Sequence, residues 1–239
     1  MKPKILIIKT GSTLPTLLER KGDFEDWIIA RYGEKDVNWQ VVNVQEGEPL
    51  PNYPEIDGII ITGSHDMVTE RLDWSEQTAA WLAGAVGAGV PTLGICYGHQ
   101  LLAHALGGEV VNNPKGREMG TVEFFLEDIA GQDNLFANLP TSKAHVCHTQ
   151  TVLRLPPQAT RLAHSEMDGN LAFVVGRNTW GVQFHPEFDA EIGREYIRQF
   201  RPLILQGGQD PDQMESTCED TDLGPEILKR FIHVVKSTN

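Results

Sequence analysis

Lys4-Ile5-Leu6-Ile7-Ile8-Lys9 places four consecutive apolar residues between two lysines, a run that fits a strand buried on both faces. Phe24, Trp27, Ile28 and Tyr32 then recur at helical spacing and stop at Gly33, which predicts an amphipathic helix with a glycine end. Strands are predicted at 40–44 and 57–62. Asp73 with Glu76 predicts a capping-box start to a helix carrying Trp81 and Leu82, which closes in glycines before a strand at 90–95. From 109 to 180 the pattern changes to short β-rich runs punctuated by Pro and Gly, and Ile192, Tyr196, Ile197 and Phe200 mark a further helix. Residues 207–222 are polar and acidic and read as a loop. The last helix is predicted at 225–236, with Pro225 in its first turn and Ile227, Leu228, Phe231 and Val235 on one face.

Strands alternating with helices predict an α/β fold with a mostly parallel sheet, helices on both faces and a small antiparallel excursion. The 239 residues, 40% of them hydrophobic, suffice for one domain spanning 1–239. A net charge of −13 argues against a nucleic-acid partner, whose phosphates require clustered Lys and Arg. No apolar stretch approaches the roughly 20 residues that span a bilayer, so no membrane role is expected. Three cysteines make no disulfide framework, and the N-terminus enters a strand without a signal-peptide core, so a reducing cytoplasm is the expected location.

The chemistry concentrates in two segments. Gly94-Ile95-Cys96-Tyr97-Gly98 follows an apolar run and reads as the cysteine form of a nucleophile elbow, with the two glycines permitting a sharp strand-to-helix turn. A thiol at a helix N-terminus is favoured as thiolate by the partial positive charge there. Downstream, Gly181-Val182-Gln183-Phe184-His185-Pro186-Glu187 puts His185 and Glu187 at i and i+2, hence on one face of a strand. Pro186 stiffens the spacing. A carboxylate on one imidazole nitrogen leaves the other free to exchange a proton with Cys96. Taken singly, a buried cysteine is usually packing and an H-P-E is usually a turn. The pair with strand context points to a Cys96, His185, Glu187 triad.

Ile95-Cys96-Tyr97-Gly98-His99-Gln100 and Gly181-Val182-Gln183-Phe184-His185-Pro186-Glu187 resemble the two signatures of class I glutamine amidotransferases, most of all the glutaminase domain of GMP synthase. The resemblance runs from the first strand to the helix after Glu187. It implies a flavodoxin-like fold and cofactor-free hydrolysis of the glutamine side-chain amide through a cysteinyl thioester, releasing ammonia. It also implies an oxyanion hole from the N–H groups of Tyr97 and Ser64, and substrate contacts from Gly63, Gln100, His148 and Gln150. Two positions depart from the family. Its usual Gly-Gly-Pro turn is Gly63-Ser64-His65 here, and an acidic anchor for the substrate α-ammonium is replaced by the neutral Gln150, leaving Glu123 or another carboxylate to substitute.

A complete GMP synthase would continue into a nucleotide-activating domain with a Ser-Gly-Gly phosphate signature, which this sequence lacks. The ammonia would then pass to a separate synthase subunit. The same scaffold also fits a free-standing γ-glutamyl hydrolase or peptidase, or a silent subunit that binds a γ-glutamyl ligand; the intact triad weighs against the last. Other constellations read as structural. His145 and His148, at i and i+3 on a strand, face opposite ways and should not share a metal ion. His99 reads as packing, Cys218 as a bystander in the polar loop, and Gly84 to Gly89 lacks the order of a dinucleotide cradle.

Overall fold

The computed structural model describes residues 2–33, 36–139 and 142–238. Its strands are β1 (Lys4–Lys9), β2 (Asn38–Asn43), β3 (Gly58–Ile61), β4 (Thr92–Ile95), β5 (Glu109–Asn112), β6 (Glu118–Leu126), β7 (Lys143–His148), β8 (Gln150–Arg154), β9 (Ala159–Ser165), β10 (Ala172–Val175) and β11 (Thr179–Val182). The helices are α1 (Pro15–Lys21), α2 (Phe24–Tyr32), α3 (Asp73–Gly87), α4 (Tyr97–Ala105), α5 (Ala190–Gln206), α6 (Pro211–Thr217) and α7 (Leu223–Thr238). The main sheet runs β2-β1-β3-β4-β11-β10-β9-β6-β7, and β5 pairs with β8 in a separate ribbon. Strands β2, β1, β3, β4 and β11 are mutually parallel, whereas β10, β9, β6 and β7 continue the same sheet antiparallel.

The continuous apolar run of β1 has the burial its pattern predicts. Ile5 and Ile7 enter a cluster with Ile28 of α2 and Ile227 and Phe231 of α7, while Leu6 and Ile8 enter a second cluster with Leu82 of α3 and Leu101 of α4. Alternate side chains thus feed the two helical layers, which is the period-2 geometry of a strand. Each fully buried aliphatic side chain contributes roughly 1.5–3 kcal/mol of hydrophobic transfer, so this strand anchors both layers. Among the described residues no helix is long and apolar enough to cross a membrane.

Three local expectations are corrected. Residues 207–222 are not all loop: Pro211–Thr217 is the helix α6, whose N-cap Asp210 accepts from the N–H groups of Asp212 and Gln213. Cys218 lies in the loop just after it, as its C-cap, and is buried. No capping box forms at α3, where Leu72 is the N-cap without a side-chain bond and Glu76 turns instead to His104 and Arg71. The terminal helix is also longer than expected, beginning at Leu223, and a Cβ on Gly224 would collide with the Pro186 carbonyl.

Helix α4 presses on β3 in the same way. A Cβ on Gly98 would lie 2.6 Å from the Ile61 carbonyl oxygen and 2.7 Å from Ile61 Cβ. Alanine would gain roughly 0.5–1 kcal/mol in helix propensity but force a backbone shift of the kind that costs about 1–3 kcal/mol. Gly98→Ala is therefore expected to lower the urea midpoint at unchanged m-value; a raised midpoint would mean that the helix moves off the strand without cost.

Candidate active site

The sheet order brings three strand ends together. Strands β3, β4 and β11 lie side by side and parallel, with Ile61 paired to Gly94 and Ile95 to Val182. Their carboxyl ends carry Gly63-Ser64, Cys96 and His185-Glu187, the edge at which open α/β sheets bind ligands.

Cys96 sits between β4 and α4 at φ 51° and ψ −102°, a left-handed backbone for a residue with a Cβ. Such a conformation costs about 1–3 kcal/mol and must be held by its surroundings. Its N–H donates to the Val182 carbonyl at 2.9 Å, and the Gly98 N–H donates to the Thr62 carbonyl at 3.2 Å. Gly94 and Gly98 do not carry positive φ themselves. A Cβ on Gly94 would strike the Gly98 carbonyl, and one on Gly98 would strike β3, so the glycines supply room while the cysteine carries the unusual dihedral.

His185 Nδ1 bonds Glu187 Oε1 at 2.7 Å, and both side chains are buried. The ring stacks on Phe188 with centroids 4.0 Å apart, and the His185 N–H donates to the His145 carbonyl at 2.8 Å. Asp189, two residues beyond Glu187, caps α5 by accepting from the Ile192 N–H at 2.7 Å, so the H-P-E turn is fixed between a strand and a capped helix. Burial alone would push His185 down, but the Glu187 carboxylate and the Cys96 sulfur outweigh it and raise the imidazole to about 10. With Nδ1 on the carboxylate, Nε2 is the nitrogen left for the thiol. Gly63 adjoins both groups: a Cβ there would lie 3.1 Å from His185 Cε1 and 3.9 Å from Cys96 Cβ.

The Gly63 carbonyl accepts from the hydroxyls of Thr10 and Thr62, each at 3.1 Å. Because the peptide is planar and trans, pinning that carbonyl turns the Ser64 N–H the opposite way. Ser64 does not adopt positive φ, so the loss of the family glycine imposes no backbone strain. Its hydroxyl accepts from the Asp66 N–H at 3.1 Å. Tyr97 opens α4, so its N–H has no acceptor four residues back. The tyrosine hydroxyl is tied to Ser75 at 2.7 Å.

A pocket of about 180 Å³ lies beside Cys96, bounded by Ser64 to Met67, by Cys147 to Gln150, and by Arg117 and Phe200. The four expected substrate contacts differ in availability. Gly63 adjoins the thiol but does not line the pocket. Gln100 spends its Nε2 on the Gln150 carbonyl at 3.0 Å and Gln183 Oε1 at 2.9 Å. His148 has both ring nitrogens engaged, Nδ1 with the Gln150 carbonyl at 2.9 Å and Nε2 with Glu118 Oε2 at 3.0 Å, so it braces the pocket wall instead of offering a free nitrogen. Gln150 donates through Nε2 to Thr69 and Asn112, and its buried Oε1 has no partner among the described residues. Glu123 is exposed on β6 and lies outside the pocket; the carboxylate lining it is Asp66.

The remaining histidines and thiols have other surroundings. His145 contacts Thr121 at 3.3 Å while His148 turns to Glu118, and burial pushes His145 down to about 4. Among the described residues no group of three or more His, Cys, Asp or Glu is placed to hold a metal ion. His99 packs on Phe173, and burial likewise lowers it to about 4. Burial pushes the Cys147 and Cys218 thiols up. Arg117 and Asp66 escaped the sequence analysis, since neither belongs to a motif and only the pairing of β6 with β7 and the turn after β3 bring them to the pocket.

Comparisons with known proteins bear on the family and the fold. The model of the family "Glutamine amidotransferase class-I" matches residues 16–201. Gamma-glutamyl peptidase 3 of Arabidopsis thaliana is 29% identical over 224 residues, covering 88% of this chain and 89% of that protein. The glutamine-hydrolyzing GMP synthase of Cytophaga hutchinsonii is 31% identical over 227 residues, covering 91% of this chain but 40% of that protein. A glutamine amidotransferase of Thermotoga maritima shares the fold with a TM-score of 0.75 at 20% identity, covering 98% of both chains. The chain belongs to the class I glutamine amidotransferase family.

Proposed function

We propose that the protein hydrolyses γ-glutamyl amides through a thioester on Cys96. The observation that carries this reading is the buried His185-Glu187 pair, 2.7 Å apart, beside a cysteine held at φ 51° between β4 and α4. In the first half-reaction Cys96 Sγ attacks the amide carbon, and the N–H groups of Tyr97 and Ser64 donate hydrogen bonds to the developing negative oxygen. His185 then delivers its proton to the leaving nitrogen as the C–N bond breaks. In the second half, water loses a proton to His185 and attacks the thioester, and glutamate leaves as the thiolate is restored. All the proton traffic passes through one imidazole, so no cofactor is called for.

Two substrates fit. With glutamine the leaving group is ammonia, which a separate synthase subunit would consume. With a substituted γ-glutamyl amide it is an amine or peptide, the reading that Gln150 favours: a neutral carbonyl holds an α-ammonium less tightly than a carboxylate, so a substrate gains from extra binding at its leaving group. The relation to a γ-glutamyl peptidase along nearly its whole length supports the same choice. Across glutamine, asparagine and several γ-glutamyl amides, kcat/KM is expected to favour the substituted amides over glutamine by about tenfold or more, the equivalent of roughly 1.4 kcal/mol. Fast turnover of glutamine alone would restore the ammonia-donating role.

A further inference from the structure

Arg117 stands out among the residues around the pocket. It directly precedes Glu118 on β6, and Glu118 faces away into the buried bonds with His148 and Ser165. Arg117 itself, in the turn that leads into the strand, lines the pocket with Cys96. Its guanidinium lies 4.9 Å from the centroid of the Phe200 ring, and it forms no ion pair or side-chain hydrogen bond with any described residue. In a chain with 33 acidic and 20 basic residues, most arginines near a carboxylate are paired, as Arg198 is with Glu215 and Arg201 with Asp212. A half-buried guanidinium held against an aromatic face with its donors unspent is preorganised for a planar anion.

We propose that Arg117 is the carboxylate receptor of this site and pairs with a carboxylate of the γ-glutamyl substrate; the inference rests on the hydrolase reading above. The same pocket holds the unpartnered buried carbonyl of Gln150, a natural acceptor for an ammonium. One free cation and one free acceptor together complement the zwitterionic head of an amino acid. At about 180 Å³ the pocket is below the roughly 300–1,000 Å³ of sites for drug-sized ligands, so it admits one residue and leaves a larger leaving group beyond its mouth. That size points to the α-carboxylate of the glutamyl unit; the terminal carboxylate of a peptide leaving group is the other source of the same chemistry.

The test compares wild type, Arg117→Met and Arg117→Lys on glutamine, on decarboxylated glutamine, and on γ-glutamylglycine with γ-glutamylglycinamide. Arg117→Met is expected to raise KM for glutamine by about 10- to 100-fold with kcat nearly retained, the size of a lost charge-assisted hydrogen bond. Decarboxylated glutamine should be indifferent to the substitution, and Arg117→Lys should recover part of the loss. A penalty confined to γ-glutamylglycine, absent for glutamine and the glycinamide, would assign the leaving-group carboxylate instead. Equal losses with and without a substrate carboxylate, or no loss at all, would overturn the proposal. Calorimetric binding of glutamine and decarboxylated glutamine to Cys96→Ala, with and without Arg117→Met, separates this from the hydrolase reading. Absence of wild-type turnover would sink that reading alone, whereas absence of a carboxylate-dependent binding difference would sink the role of Arg117.

Discussion

Cys96→Ala is expected to lose about 10⁵- to 10⁶-fold in kcat, the scale seen when the nucleophile of a cooperating triad is removed. The fold should survive, because the positive φ at position 96 is held by the Val182 carbonyl and the start of α4, neither of which involves sulfur. Far-UV circular dichroism and a urea titration check the fold, and release of ammonia or amine measures the chemistry. Mass spectrometry with a γ-glutamyl electrophile should find one adduct, on Cys96. The alternative thiols are poor candidates, since burial pushes both Cys147 and Cys218 up and away from the reactive thiolate. Turnover persisting in Cys96→Ala, or an adduct on either of those residues, would refute the covalent mechanism as assigned.

The second large effect belongs to His185. His185→Ala should cost nearly as much as loss of the thiol, since one imidazole serves both half-reactions. Glu187→Ala should leave partial activity, because the carboxylate orients and charges the ring without touching substrate. The pH profile separates these roles. Burial lowers His185 and Glu187 with Cys96 raises it, to about 10 against an ordinary value of 6.5. Removing Glu187 must therefore let the imidazolium lose its proton at lower pH, and the alkaline limb of kcat/KM should move down. For stability the sign follows from the same raised value: the contribution of the pair is fully present below about 6.5 and is lost as pH rises through the folded value near 10. A profile of unchanged shape in Glu187→Ala would remove the carboxylate from the proton-transfer system.

The candidate triad positions were legible as candidates because their chemistry is written locally: a thiol between two glycines after an apolar run, and a histidine two residues from a carboxylate. What those glycines do was not legible. Gly94 and Gly98 looked like the source of the turn, but their role is close backbone approach, which depends on how α4 lies against β3. Helix α6 had readable signals, Asp210 as a cap and Pro211 in the first turn, yet at seven residues it lacks the periodicity that separates a helix from a polar loop. Asp73 and Glu76 carried a capping signature that tertiary contacts overrode when Glu76 joined His104 and Arg71. His148 became a brace because β6 and β7 pair so that Glu118 lies opposite it, a register that no local pattern encodes. Arg117 was hidden for the same reason.

The position of β11 between β4 and β10 has a consequence for biosynthesis. Every strand from β1 to β10 leaves the ribosome before the strand that leads to His185, and β4 must wait with one edge unpaired until that late strand inserts beside it. The Cys96 N–H finds its Val182 partner only then. A nascent chain therefore carries the thiol before His185 and before the bond that holds its backbone, so the candidate site can assemble only once β11 has inserted.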